Sequence, residues 1–416
     1  MAVLNTGDTS WILVSTALVF FMTPGLALFY GGMVRRKNVL NTIMSSFFIA
    51  GVGAILWVLV GYSLSFGKDV GGIIGNLQWI GFNGVGIEAN SDYATSIPQI
   101  LFATFQMMFA IITPAVVTGA IVERMKFSSL LIFTIVWSLL IYYPLTHMVW
   151  GNGGFLKTLG IADFAGGTVV EINSGITALV ASLILGKRRG YGMTSYHPHN
   201  IPLVFAGAGI LWFGWFGFNA GSALAANGLA SHAFATTNIS AAAAVVSWMF
   251  IEKIRNGKPT MLGAMTGAIV GLVAITPACG FVPMWAAIII GLVASPLAYF
   301  TVTYIKHKFG FDDALDVFGC HGVGGIWGVI ATGLFAKTSI NSSLISNGLI
   351  FGNIKQFLIQ LISALITILF TGIGTAIILI VMRLFSPIRV SLREETEGLD
   401  IVEHGESAYP SFTGMD

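Results

Sequence analysis

Two ionisable residues, Glu171 and His321, lie inside apolar stretches of this chain, and each follows an aspartate by eight positions. Asp163-Phe-Ala-Gly-Gly-Thr-Val-Val-Glu171 opens an apolar segment that runs to Gly186. Asp313-Ala-Leu-Asp-Val-Phe-Gly-Cys-His321 opens another that ends near Ala336. An ionisable group inside a bilayer is costly, so it marks a pathway or a relay and needs a partner. The spacing predicts that Glu171 and His321 are partners. Neutral, Glu171 can hydrogen-bond to His321 and relay a proton; ionised, it attracts cations. For Asp163 and Asp313 the plainer reading is an N-cap carboxylate at the start of a helix. A buried Asp163 could also hold backbone carbonyls toward a cation. Asp312 and Asp316 are expected at the inner helix ends, tied to basic loops.

Aromatic residues form a second group with chemical meaning. Phe105-Gln-Met-Met-Phe109 puts two rings four apart, on one helix face. Phe218 and Ser222 share a face in the same way, and Trp150 closes His147-Met-Val-Trp150 at the end of an apolar segment. Aromatic faces attract cations by about 0.5–2 kcal/mol when the cation lies within about 6 Å of the ring. Trp150, a Phe and the Ser222 hydroxyl, if they converge, make a small cation-recruitment site, and stacked phenylalanines below make a hydrophobic gate. The alternative is that these rings pack the core and that Trp150 anchors the membrane interface.

The elements that must position these residues are membrane helices. The chain of 416 residues is 55% hydrophobic and 9% charged, against about 25% charged in soluble proteins, and its mean hydropathy is +0.84. A helix needs about 20 apolar residues to cross the hydrocarbon. Eleven spans are predicted, at 11–33, 39–66, 98–121, 128–147, 164–186, 201–223, 233–252, 260–277, 283–304, 314–335 and 356–384. The long uncharged runs 190–251 and 259–305 break at Ala226-Asn-Gly228 and at Thr276-Pro-Ala-Cys-Gly-Phe-Val-Pro283. With the N-terminus outside, sixteen of the twenty Lys and Arg fall on the inner side. Only Lys68, Lys157, Lys337 and Lys355 fall outside. That asymmetry needs an odd number of spans. Spans one to five and six to ten then run in opposite senses, the layout of an inverted repeat with a site near the midplane. Glu171 is expected toward the outer half and His321 toward the inner half, along one path. The fold class is an all-α integral membrane protein of eleven transmembrane helices, a five-plus-five inverted repeat with an extra C-terminal helix. Residues 1–385 are expected to form the transmembrane domain, and 386–416 an acidic cytoplasmic tail.

Other chemistry is not indicated. Neither Cys279, expected in a loop, nor Cys320, inside a span, has metal-ligand or disulfide spacing. No phosphate loop or cofactor motif is present. No nucleophile stands near a plausible base, so no enzyme activity and no cofactor are expected, and no nucleic-acid partner. His197, His199, His232, His307 and His404 are expected in loops or the tail. Most of the 51 glycines are read as close-packing positions between helices.

Taken together, these motifs resemble the ammonium transporter family (the Amt/Mep/Rh proteins), most closely its bacterial and archaeal Amt branch. The likeness covers nearly the whole chain. It rests on Phe29-Tyr-Gly-Gly-Met-Val-Arg-Arg-Lys-Asn38, Ala120-Ile-Val-Glu-Arg124, His147-Met-Val-Trp150, Asp163-Phe-Ala-Gly-Gly-Thr-Val-Val, Gly214-Trp-Phe-Gly-Phe-Asn-Ala-Gly-Ser222, Asp316-Val-Phe-Gly-Cys-His-Gly322 and Glu397-Gly-Leu-Asp400. The resemblance implies a homotrimer in the inner (cytoplasmic) membrane, each subunit with its own pore for ammonium or ammonia. It implies an outer substrate site of Phe109, Trp150 and Ser222 with Asp163, a Phe109/Phe218 gate, and a central pore pair for which Glu171 and His321 stand here. The family's pair is usually two histidines, and Glu171 replaces the first, as in some fungal members. A PII-type signalling protein at the cytoplasmic face is the implied partner of the tail. The alternative functions are an ammonium-sensing receptor with little transport, or an ion-coupled cation transporter.

Overall fold

The computed structural model describes residues 3–193 and 196–409. Eleven helical spans build it: α1 (Thr6–Met33), α2 (Arg36–Phe66), α3 (Gln99–Ile121), α4 (127–150), α5 (Gly167–Leu185), α6 (Ile201–Gly221), α7 (Gly228–Asn256), α8 (Met261–Ile275), α9 (Met284–Phe309), α10 (Phe318–Phe335) and α11 (Ile354–Phe385). The span count and order are those predicted. α8 is the shortest, because the turn at 276–283 ends it early. Strands among the described residues are two short antiparallel pairs between α2 and α3.

Local chemistry sets the boundaries. Side chains of Asn5, Asn200, Asn227, Thr260 and Asn353 accept from backbone N–H groups in the first turns of α1, α6, α7, α8 and α11. Each cap satisfies a donor that the helix cannot pair itself. The predicted break at Ala226-Asn-Gly228 is therefore the cap of α7. His232 is a correction: it sits in the second turn of α7, not in a loop, its Nε2 2.8 Å from the Val282 carbonyl oxygen. His307 lies in the last turn of α9, not in a loop, and His404 ends a short helix of the tail.

The two halves share local detail. α4 and α9 each carry a π turn, Ser138–Tyr142 and Thr301–Ile305. α5 and α10 each open on a six-residue π turn, Gly167–Ile172 and Phe318–Val323. Such turns recur at functional sites, and these two hold Glu171 and His321.

At the face carrying most of the Lys and Arg, the loops are tied by a buried ion network. Arg188 donates to both Asp312 oxygens at 2.9 Å and to Glu123 at 3.2 Å, and Arg35 also pairs with Glu123 at 2.8 Å. Burial pushes the Glu123 carboxyl up, but Arg188 and Arg35 beside it outweigh burial and hold it below its ordinary value. Arg124, 0% exposed, donates to the carbonyls of Gly186 and Asp312. Asp316 pairs with Lys306 at 2.6 Å. The expected link between Asp312, Asp316 and the basic loops is thus present.

After α11 the chain turns back beneath this face through two short helices, Leu392–Glu397 and Leu399–His404. Glu395 accepts from the Arg189 N–H and from Arg389, Asp400 from the Asn41 N–H, and the Leu399 N–H donates to Asn38. Residues 410–416 of the predicted tail lie outside the described residues.

Candidate functional site

Asp163 and Asp313 are not themselves the N-cap residues, which are Gly166 and Val317, but from a few positions upstream their carboxylates accept from backbone N–H groups at the entrances of α5 and α10. Asp163 Oδ1 accepts from the N–H groups of Gly166 (2.8 Å) and Gly167 (2.6 Å). Its Oδ2 accepts from the Thr168 N–H at 2.7 Å and from the Thr168 hydroxyl. Asp313 Oδ2 accepts from the Phe318 N–H at 2.7 Å. In each case an aspartate takes the N–H five residues on, so both π turns start from the same device. Asp163 is 8% exposed with both oxygens engaged, and its backbone carbonyl accepts from the Trp150 indole at 3.0 Å. Gln360 of α11 clamps the preceding residue, accepting from the Ala162 N–H at 2.9 Å and donating to its carbonyl at 2.8 Å.

Glu171 and His321 then meet because α5 and α10 cross at glycine. A Cβ on Gly175 would overlap the Gly322 backbone, and one on Gly325 would stand 2.8 Å from the Glu171 Cβ. Only glycine permits that approach. His321 Nδ1 and Glu171 Oε2 are 2.7 Å apart, with the residues 5% and 1% exposed. The predicted offset in depth does not separate them. One proton serves this contact in either form: imidazole N–H donating to carboxylate, or carboxyl O–H donating to imidazole. Glu171 Oε1 is buried and has no partner among the described residues.

Glu171 and His321 face a cavity of about 20 Å³ whose wall is otherwise largely apolar, including Met22, Leu26, Val116 and Leu211. Room of that size admits about one water. The other polar groups of the wall are engaged elsewhere: the Tyr30 hydroxyl donates to the Val116 carbonyl and the Trp215 indole to the Thr276 hydroxyl. His321 also lines a second cavity, of about 70 Å³, together with Cys320 and Asp316. That cavity lies on the side of Asp316, which pairs with Lys306 at the basic face.

The aromatic residues come together above the pair. Phe109 and Phe218 pack as a tilted pair with centroids 4.4 Å apart and planes at 37°. Phe105 lies 5.1 Å from Phe109, and Trp150 meets Phe109 edge-on at 5.9 Å. Phe218 lines the inner cavity, whereas Trp150, Ser222 and Asp163 line a wider one of about 200 Å³ on the far side of the rings. The Ser222 hydroxyl donates to the Phe218 carbonyl at 2.8 Å, which leaves its lone pairs for another donor.

Three groups at this mouth escaped the sequence reading. Gln356 and Gln360, both 0% exposed, were detectable as an i, i+4 polar pair in an apolar span. His147 is 0% exposed, Nδ1 3.0 Å from the Ser65 carbonyl and Nε2 3.0 Å from Asp69; as a lone histidine next to Trp150 it gave a weak signal. Lys157 lines the wider cavity and gave only its sign.

A bundle of eleven apolar helices, with the Glu171–His321 pair set among small internal cavities, marks a multi-pass membrane protein. The family model described as the Ammonium Transporter Family matches residues 10–409. The chain belongs to that ammonium transporter family. It is 50% identical over 403 residues to an ammonium transporter of Bacillus subtilis, covering 97% of this chain and 98% of the relative. The crystal structure of Saccharomyces cerevisiae Mep2 matches with a TM-score of 0.88 at 37% identity, covering 94% of this chain and 89% of that one. A structure described as a sensor Amt protein matches with a TM-score of 0.88 at 28% identity, covering 96% and 98%.

Proposed function

We propose that the protein takes up ammonium by recruiting the cation at Trp150, Phe109 and Ser222, removing its proton near the Phe109/Phe218 rings, and passing ammonia along the lumen. The observation that carries this reading is the Glu171–His321 hydrogen bond, set in a largely apolar wall directly below those rings. An ammonium ion loses its hydration in such a lumen, and burying an unpaired charge costs several kcal/mol. Ammonia carries no charge and avoids that cost. The released proton goes either to outer water or to the Glu171–His321 pair, which can pass it toward the cavity at Cys320 and Asp316. Asp163 serves as a positioning residue, holding α5 and the Trp150 indole. No covalent chemistry belongs to this reading.

The membrane is the cell's inner membrane, with the N-terminus outside and the basic face in the cytoplasm. The subunits form a homotrimer. Residues 386–416 are a cytoplasmic regulatory segment read by a PII-type signalling protein. The buried contacts of Glu395, Leu399 and Asp400 beneath the loops support that role. Deletion from Ser386 onward is expected to change uptake and to abolish capture of the PII-type partner by the solubilised trimer. Unaltered uptake together with unaltered capture would rule the tail out as a regulator.

Replacing Trp150 by Leu removes a cation–π face of about 0.5–2 kcal/mol, so the apparent KM for ammonium should rise about two- to thirtyfold. Uptake by cells or proteoliposomes at low ammonium measures it. A wild-type KM in the Leu variant contradicts recruitment by the indole. The likeness to a sensor Amt protein favours one alternative, a receptor that binds ammonium and conducts little. A current on an ammonium pulse in proteoliposomes decides for transport; binding without current decides for the receptor.

A further inference from the structure

Lys157 holds its own ammonium group in a frame suited to the free ion. Its Nζ donates to the Trp150 carbonyl at 2.9 Å and to Asn152 Oδ1 at 2.6 Å, and lies 5.6 Å from the centre of the Tyr93 ring. Two oxygen acceptors and an aromatic face are the groups that coordinate an ammonium cation in place of water. The frame is fixed by its own hydrogen bonds. The Tyr93 hydroxyl donates to the Phe66 carbonyl at 2.8 Å and accepts from the Asn152 N–H at 3.0 Å, and Asn152 Nδ2 donates to the Asp92 carbonyl at 3.1 Å. Lys157 lines the same cavity of about 200 Å³ as Trp150 and Ser222.

We infer that Lys157 is an affinity-determining residue of the outer mouth: a tethered ammonium that repels the incoming cation and occupies the first site the cation would otherwise take. The inference rests on the recruitment reading above. Asp92 lines the same cavity and partly offsets the charge; Asp163 is engaged in capping and Asp69 faces His147. Two unit charges about 10 Å apart weaken association by a factor between about two and about fifteen, depending on the effective dielectric. Salt shortens the reach of such a charge to about 10 Å at 0.1 M and less above that.

The test is ammonium-dependent current in proteoliposomes made with the full chain, for wild type, Lys157→Gln, Lys157→Met and Lys157→Arg, at low and high sodium chloride. Gln keeps a donor without the charge, Met keeps neither, and Arg keeps both. The expected result is a lower apparent KM in both Gln and Met at low salt, by about two- to fifteenfold. Maximal current should move much less. Arg should match wild type, and the differences should shrink at high salt. A KM that rises in Met and is unchanged in Gln makes Lys157 only a clamp on Asn152 and overturns the inference. Equal KM in all four proteins also overturns it. Failure of the recruitment reading looks different: the Trp150→Leu variant then keeps its wild-type KM, whatever the Lys157 variants do.

Discussion

Glu171→Leu is expected to give a folded protein whose ammonium-driven current falls at least about tenfold, a change of about 1.4 kcal/mol or more in the barrier. Leucine is bulkier than glutamate, but Gly175 and Gly322 are untouched, so the crossing of α5 and α10 is expected to be kept. What disappears is the only acid in the wall of the inner cavity, and with it the partner of His321 Nδ1. A buried donor or acceptor left unpaired costs about 1–3 kcal/mol, so His321 is also expected to tilt toward whatever water the lumen admits. Two further variants separate proton handling from packing. Glu171→Gln keeps hydrogen bonding to His321 but cannot titrate, and should conduct poorly if the pair passes a proton. Glu171→His restores a titratable partner and should keep transport, with altered rate or selectivity. An undiminished current in the Leu variant would show that the lumen needs no ionisable group there. Comparing ammonium with potassium in the same recordings tests whether Glu171 draws cations instead.

Much of this arrangement was legible because membrane burial makes an ionisable residue conspicuous. Glu171 and His321 stood out against apolar surroundings, and the shared interval to Asp163 and Asp313 marked the repeat. The starts at 201 and 260 were legible to within a residue, whereas the seventh span was placed from 233 although the Asn227 cap starts α7 at Gly228. The details that make the pair a pair were not legible. The π turns that carry Glu171 and His321 have no signature in residue spacing that the sequence reading could use. The contact also depends on which two of 51 glycines oppose each other. The mouth was harder still. Gln360 is 198 positions from Ala162, whose backbone it clamps, and the frame around Lys157 draws on residues 93, 150 and 152. His232 was misplaced because its Nε2 finds a carbonyl at the end of the neighbouring turn, which satisfies a polar residue within a helix as well as a loop would.

Asp163→Ala is the other change with a large expected effect, and it acts through structure. The substitution leaves the N–H groups of Gly166, Gly167 and Thr168 and the Thr168 hydroxyl without their acceptor. Each unpaired buried donor costs about 1–3 kcal/mol, and water in the mouth cavity that Asp163 lines reaches the turn only in part, since Asp163 is 8% exposed. The first turn of α5 should therefore loosen. Glu171 lies in that turn, and the Trp150 indole is tied to the Asp163 carbonyl, so both the mouth and the pair lose position together. The expected outcome is a lower thermal midpoint in detergent and current reduced at least about tenfold. Asp163→Asn discriminates between the two roles considered for this residue. As a cap, Asn keeps one acceptor oxygen but turns an NH2 toward donors, so midpoint and current should both fall to values between wild type and Ala. As a direct cation ligand, Asn would weaken apparent ammonium affinity while leaving the midpoint where it was. Because both carboxylate oxygens already receive backbone or hydroxyl hydrogens, the coupled fall is the result the geometry requires, and a wild-type midpoint in the Ala variant would refute it.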